Sequence, residues 1–276
     1  MPVAQSVCRH CRWALRWRST RSSRSARVDR LAAQAPYPLR VAWLAGQDYA
    51  HRGLHDATIP ENSPQAFAAA IAHGMGIECD VQRTADGEAM VFHDWDLDRL
   101  TDASGPVAER TAADLATIPL AGNGQPIPRL SSVLEQIAGR VPLLIEVKSK
   151  RELPVEALCA AVHRDLKGYA GHCAVMSFDP RVAFWFARHS PHRVRGLVVT
   201  EEGAKGLVGH IRRWLAFRLA RPDFLAYDIR DLPSAFPTRR RARGVPVLTW
   251  TVRSPDLRAR AAIYADAPIA EGDGLA

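Results

Sequence analysis

Long apolar runs are missing from this sequence. No stretch of about 18 uninterrupted apolar residues occurs, so no membrane-spanning helix is expected. Cysteine is scarce and odd in number: Cys8, Cys11, Cys79, Cys159 and Cys173. That set excludes a disulfide framework as the source of stability and suits a reducing compartment. Cys8-Arg9-His10-Cys11 is a lone CxxC; no second pair follows to complete a structural zinc site. A secretory signal is also missing, because its best apolar candidate, Trp13-Ala14-Leu15-Arg16-Trp17, is interrupted by Arg16. A cytoplasmic location is the expectation.

What is present is a globular composition, 47% hydrophobic and 24% charged, which excludes a disordered chain. The net charge of +8 is unevenly placed. Residues 1–40 hold nine Arg, no Lys and one acid, Asp29, and so carry the whole excess. The remainder averages to zero and has no overall reason to seek a nucleic acid. Residues 1–38 read as a basic, disordered extension and 39–276 as the folded domain. Trp13 and Trp17 lie four apart, on one face if helical, so membrane contact is expected only through this tail. The run Arg239-Arg240-Arg241-Ala242-Arg243 reads as a solvated helix face.

Short apolar runs alternate with helical segments along the domain. Strands are predicted at 48–52, 76–82, 89–93, 142–148, 173–178, 196–200, 224–229 and 246–252. Helix starts are marked by Ser63-Pro64, Asp179-Pro180 and Ser254-Pro255, each a capping side chain before a first-turn proline. Thr111 with Asp114 has the form of a capping box. Residues 154–168 place Val155, Leu158, Cys159, Val162 and Leu166 on one stripe. Eight strand–helix units over this length predict a closed (β/α)8 barrel with a basic N-terminal extension and a small insertion, 94–141, between strands 3 and 4. An open nucleotide-binding sheet would carry a glycine-rich loop after its first strand; here that strand ends in His51-Arg52-Gly53.

Such a barrel works at the C-terminal ends of its strands. There the sequence places His51-Arg52, Glu78-Cys79-Asp80, His93-Asp94, Glu146-Val147-Lys148 and Trp250. Burying those charges unpaired would cost several kcal/mol each, so they must meet one another, a metal or a ligand. Glu78 and Asp80 are two apart and share a strand face, with Cys79 opposite. Three converging carboxylates, Glu78, Asp80 and Glu146, repel unless a cation joins them, and all-oxygen ligation selects a hard ion, Mg²⁺ or Ca²⁺. Arg52 and Lys148 suit a phosphate. His51 and His93 can serve as base and acid in one displacement. The set reads as metal-assisted phosphoryl chemistry.

In order along residues 47–272 these motifs resemble the glycerophosphodiester phosphodiesterase family: His51-Arg52-Gly53, Glu61-Asn62, Glu78-Cys79-Asp80, His93-Asp94, Glu146-Val147-Lys148 and Trp250. The resemblance implies a TIM barrel, one divalent cation, and hydrolysis of a small-molecule glycerophosphodiester to glycerol 3-phosphate and an alcohol. It implies metal ligands at Glu78, Asp80 and Glu146, acid–base roles for His51 and His93, and substrate contacts from Arg52, Lys148, Glu61 and Trp250. Three positions depart from the family pattern: Ser63 follows Glu-Asn in place of Thr, Arg253 stands where Asn is usual, and no aromatic follows Glu271-Gly272. Two alternatives share the barrel. One is a lysophospholipase D or sphingomyelinase-D-like lipid phosphodiesterase, the other a non-catalytic phosphate-binding barrel. The presence of both histidines weighs against the last.

Overall fold

The computed structural model describes residues 38–275, apart from 123 and 151. The extension, with its CxxC and paired tryptophans, lies outside the described residues. The strands are β1 (Tyr49–Ala50), β2 (Gly76–Arg83), β3 (Ala89–Val91), β4 (Leu143–Val147), β5 (Cys173–Ser177), β6 (Val194–Val199), β7 (Phe224–Asp228), β8 (Val247–Val252) and β9 (Ala267–Ala270). They form one sheet in the order β1-β9-β8-β7-β6-β5-β4-β2-β3, and β1 also pairs with β2. Every pairing is parallel except β2 with β3. The result is a closed eight-stave barrel with one strand hung on its outside.

The predicted staves are corrected in two places. Residues 89–91 are not a stave: they turn back antiparallel on β2 through a tight bend at Thr84–Gly87. A parallel crossover needs about a dozen residues, and the five between β2 and β3 cannot supply one. The eighth stave is β9, four residues that include Pro268. The insertion between strands 3 and 4 is present, with its own small core of Phe92, Leu97, Val107, Leu115 and Leu120.

Nine α-helices are described: α1 (Leu39–Ala42), α2 (Pro64–Ala72), α3 (Ala112–Leu115), α4 (Leu130–Ile137), α5 (Glu156–Asp165), α6 (Pro180–His189), α7 (Leu207–Ala220), α8 (Ala235–Arg241) and α9 (Pro255–Tyr264). The predicted caps form. Ser63 accepts from Ala66 N, Asp179 from Arg181 N and Ser254 from Leu257 N, and Thr111 with Asp114 closes a capping box. No described helix is long and apolar enough to cross a membrane.

The stave interiors change character along their length. At the bottom, Tyr49, Leu144, Phe224, Leu248 and Ile269 fill the barrel, with Val41 and Leu44 against them. Large and small residues alternate across this layer. A Cβ on Gly196 would lie 2.3 Å from the Phe224 ring, and one on Gly76 would lie 2.5 Å from the Tyr49 ring. Each fully buried ring of this kind stabilises the fold by about 1.5–3 kcal/mol. Higher on the same staves the inward residues are charged, with Asp80 directly across from Glu146 and Asp228 across from Trp250. Cys79 points outward into the sheet–helix core, as expected from its parity.

Candidate active site

The charged upper layer opens into a cleft of about 340 Å³. His51, Arg52, Asp80, His93, Glu146 and Lys148 line it, together with Phe178 and Trp250. Of the nine site residues expected from sequence, seven therefore border one cavity. Glu78 sits against that set, 2% exposed. Glu61 does not line the cleft; it receives Arg52 Nη1 at 2.7 Å and Arg99 Nη2 at 2.7 Å, and so holds Arg52 from outside.

The three carboxylates meet as their spacing required. Oxygens of Glu78, Asp80 and Glu146 all lie within 4.8 Å of one another. Burial pushes the Glu78 carboxyl well above its ordinary range, and the charges of Asp80 and Glu146 push the same way. Burial likewise raises Glu146 to about 7, against the pull of Lys148. Asp80 goes the other way. Burial opposes its charge, but Lys148 and Arg52 outweigh burial and hold it below the usual carboxylate value. Lys148 Nζ stands 3.4 Å from Asp80 and 3.2 Å from Glu146. A pocket of three acids in which one stays ionised and two resist ionisation is the arrangement that a divalent cation stabilises.

Each histidine is oriented by a carboxylate. His51 Nδ1 is hydrogen-bonded to Glu271 Oε2, and His93 Nδ1 to Asp94 Oδ1 at 2.6 Å. A carboxylate only accepts, so Nδ1 carries the proton and Nε2 is left with a lone pair. Burial lowers both histidines below their ordinary value; Glu271 opposes this at His51 and Asp80 at His93. Burial thus favours the neutral ring at both positions. Asp94 is held down to about 2 by Arg99 and His93. Glu271 is held well below the carboxylate range: burial opposes its charge, and His51, His55 and Arg253 overcome it. His51, His55 and Glu271 also bring ligand atoms within 4.8 Å, but Glu271 is committed to its histidines and Arg253.

Backbone geometry fixes Arg52. Its φ is 55° and that of Asn62 is 54°, a region that costs a non-glycine residue about 1 kcal/mol or more. The turn is stitched by Arg52 N to Glu78 Oε2 at 3.1 Å and by Asn62 N to Arg52 O at 2.8 Å. Asn62 also donates its side-chain amide to Asp80 Oδ2 at 3.1 Å. Arg52 Nε lies 3.2 Å from Asp80 but forms no hydrogen bond. Trp250 donates its indole N–H to Ala226 O at 2.9 Å and meets Phe178 edge to face, ring centres 5.3 Å apart. Its N–H is thereby committed to the barrel backbone.

Glu271, Asn62, Asp94 and Phe178 were not singled out from sequence. Glu271 directly follows the unrecognised stave β9, so the strand-end rule would have found it. Asn62 and Asp94 stood inside recognised motifs but had no role assigned. Phe178 ends the predicted strand 173–178, so the strand-end rule would have found it too.

Comparison with known proteins agrees with this fold. Residues 51–269 match the model of the glycerophosphoryl diester phosphodiesterase family. A probable glycerophosphodiester phosphodiesterase 2 of Mycobacterium tuberculosis is 30% identical over 230 residues, 75% of this chain and 80% of that one. A glycerophosphodiester phosphodiesterase of Caldanaerobacter subterraneus is 38% identical over 108 residues, 36% of this chain. The match spans 44% of that relative, and it is similarly under half of several other curated relatives. Among solved structures, the fold resembles an Oleispira antarctica phosphodiesterase in complex with sn-glycerol-3-phosphate (TM-score 0.72, 24% identity, 82% of this chain and 93% of that one). It also resembles a glycerophosphodiester phosphodiesterase of Thermotoga maritima (TM-score 0.65, 24% identity, 82% and 94%). Since the family model matches residues 51–269, most of the sequence, this chain belongs to the glycerophosphoryl diester phosphodiesterase family.

Proposed function

We propose that the protein hydrolyses glycerophosphodiesters to glycerol 3-phosphate and an alcohol in a metal-dependent reaction. The observation that carries this reading is the convergence of His51, His93, Arg52, Lys148, Asp80 and Glu146 on one cleft. Glu78, Asp80 and Glu146 would hold one divalent cation; their all-oxygen set suits Mg²⁺ or Ca²⁺. When bound, that cation supplies positive charge to a phosphoryl oxygen.

The chain's own residues do the rest. Arg52 and Lys148 bind the phosphate, Arg52 through the Nε that makes no hydrogen bond in the protein alone. One histidine accepts the proton of the attacking substrate hydroxyl at Nε2, while the other, entering the reaction protonated on both ring nitrogens, gives its Nε2 proton to the leaving alcohol oxygen. Water then opens the resulting cyclic phosphate with the two roles exchanged, leaving glycerol 3-phosphate. Glu271 and Asp94 hold both rings by Nδ1, which leaves Nε2 as the nitrogen that exchanges protons. Glu61 positions Arg52. Trp250 and Phe178 form an apolar wall for the carbon skeleton beside the phosphate. Free, buried Cys79, Cys159 and Cys173 support a reducing, cytoplasmic setting.

The test is release of glycerol 3-phosphate from glycerophosphocholine, glycerophosphoethanolamine, glycerophosphoglycerol and a lysolipid, with Mg²⁺, with Ca²⁺ and with EDTA. Turnover that EDTA abolishes, and that His93→Ala lowers at least 100-fold, is the expected result. No turnover on any of the four with either ion would overturn the reading.

A further inference from the structure

Helix α7 is built inside out. A barrel helix ordinarily turns its apolar stripe to the sheet and its polar face to water. In α7 the barrel side is Gly209, Arg213, Ala216, Phe217 and Ala220. The outer side is Leu207, Val208, Ile211, Trp214, Leu215 and Leu219, all exposed, Leu207 by 75% and Leu215 by 54%. The rotation is locked from within. Arg213 Nη1 donates to Ala204 O at 2.7 Å, and its other arm lies 3.3 Å from Glu201 Oε2. At Gly209 a Cβ would fall 1.7 Å from the Ala204 carbonyl oxygen, so only glycine permits this seating. The apolar stripe is held outward by specific contacts. It runs the length of the helix, the form of an interaction surface.

Between Glu202 and Asp223 the charge along the stripe has one sign. Residues 203–222 include Lys205, Arg212, Arg213, Arg218 and Arg221 and no acid. The neighbouring stretch 232–246, which contains α8, holds Arg239, Arg240, Arg241 and Arg243 and again no acid. Arg240 stacks on Phe217 of α7 at 5.0 Å and on Phe236 of α8 at 3.6 Å, which sets the two helices side by side. Arg212, Arg218, Arg221, Arg239 and Arg243 are exposed. A domain that is neutral on average thus carries a cationic, leucine-rich flank.

We infer that α7 docks the barrel on an anionic phospholipid bilayer. The Leu/Ile/Trp stripe enters the boundary between headgroups and acyl chains, and the flanking arginines meet the lipid phosphates. Charge selects this occupant. A second copy packed on the same face would set Arg212 and Arg218 against their own like charges, and residues 1–40 carry the same sign. The stripe starts at the catalytic mouth: the loop before Leu207 holds Glu202, which pairs at 2.8 Å with Arg230 on the cleft rim. A docked barrel therefore keeps its cleft beside the headgroup layer. Docking does not depend on the reaction proposed above.

The experiment is flotation of the full chain with phosphatidylcholine vesicles, with and without phosphatidylglycerol, comparing wild type with the Ile211→Asp/Leu215→Asp double variant. The expected result is binding to the phosphatidylglycerol vesicles only, weakening as salt rises, with a blue shift of tryptophan fluorescence. The double variant should bind at least about tenfold more weakly, at an unchanged thermal midpoint. If that variant loses its midpoint, Leu207→Ser/Val208→Ser in the exposed first turn is read the same way. Equal binding of variant and wild type would assign the affinity to other basic residues and overturn the inference. So would equal binding to both vesicle types, or no flotation at all. Self-association in analytical ultracentrifugation that the double variant abolishes, without flotation, would show that a second copy covers the stripe and would equally overturn it.

Discussion

Replacing Glu78 with Gln separates the two reasons a carboxylate can be buried. Glu78 is 2% exposed, accepts the Arg52 backbone N–H at 3.1 Å, and is opposed by burial and by both neighbouring acids. Without a cation its charge is a liability, and Gln matches its shape and accepts the same hydrogen bond. Stability in EDTA should therefore be no lower than that of the wild type. With a cation at 100 times its Kd, the wild type gains about 2.7 kcal/mol. At roughly 2–4 °C per kcal/mol for a domain of this size, that is a rise in Tm of about 5–10 °C. If the missing ligand costs about 100-fold in affinity, the same cation concentration gives the variant about 0.4 kcal/mol, or about 1–2 °C. The assay is thermal unfolding of both proteins in EDTA, Mg²⁺ and Ca²⁺. A variant that gains as much from the cation as wild type would refute Glu78 as a ligand. One that melts about 10 °C lower in EDTA would show that its charge supports the fold by itself.

Three further outcomes follow from the same contacts. Glu271→Gln removes the charged acceptor that fixes His51; kcat should fall about 100-fold with KM little changed, and an unchanged kcat would remove Glu271 from the mechanism. Gly196→Ala drives a methyl to 2.3 Å from the Phe224 ring, costing about 1–3 kcal/mol in urea unfolding; Phe224→Leu in the same chain should return part of it. Burial pushes the Cys159 and Cys173 thiols up to about 12 and Cys79 well above its ordinary value of 9. In a Cys8→Ser/Cys11→Ser protein, a disulfide reagent at pH 8 should find no reactive thiol until denaturant is added, and three afterwards. The stability these protonated thiols contribute is intact below pH 9 and is lost as pH rises toward about 12. Thiol release at pH 8 from the folded protein would contradict the burial.

Much of the site was legible because it depends on parity and position along a strand. Glu78 and Asp80 share a face by their spacing alone, and Glu146 proved to lie directly opposite Asp80. The caps at Ser63, Asp179 and Ser254 were legible for a similar reason: a capping oxygen and a first-turn proline act within one turn of chain. Local signals failed where pairing was non-local. The run 89–91 and the stave 267–270 are both short and apolar, and only the pairing partner distinguishes an outside hairpin strand from a barrel stave. Missing β9 also hid Glu271, because its role exists only when the last stave closes beside β1 and brings it to His51.

Helix α7 shows the same limit from the other side. Its composition is that of an ordinary buried helix, and summed charge over the domain is zero. The turn at Ala204, the glycine at 209 and the anchor from Arg213 to Glu201 decide that the leucines face outward. Periodicity shows that a helix has two faces; the packing around it chooses which one is buried. The sequence by itself determined the barrel class and the charged residues carried by β1, β2 and β4 or the residues just after them, since these follow from period, parity and local capping. Tertiary structure alone decided which strands close the barrel, which carboxylate holds which histidine, and which helix face meets the outside. Those depend on residues far apart in the chain reaching hydrogen-bond distance.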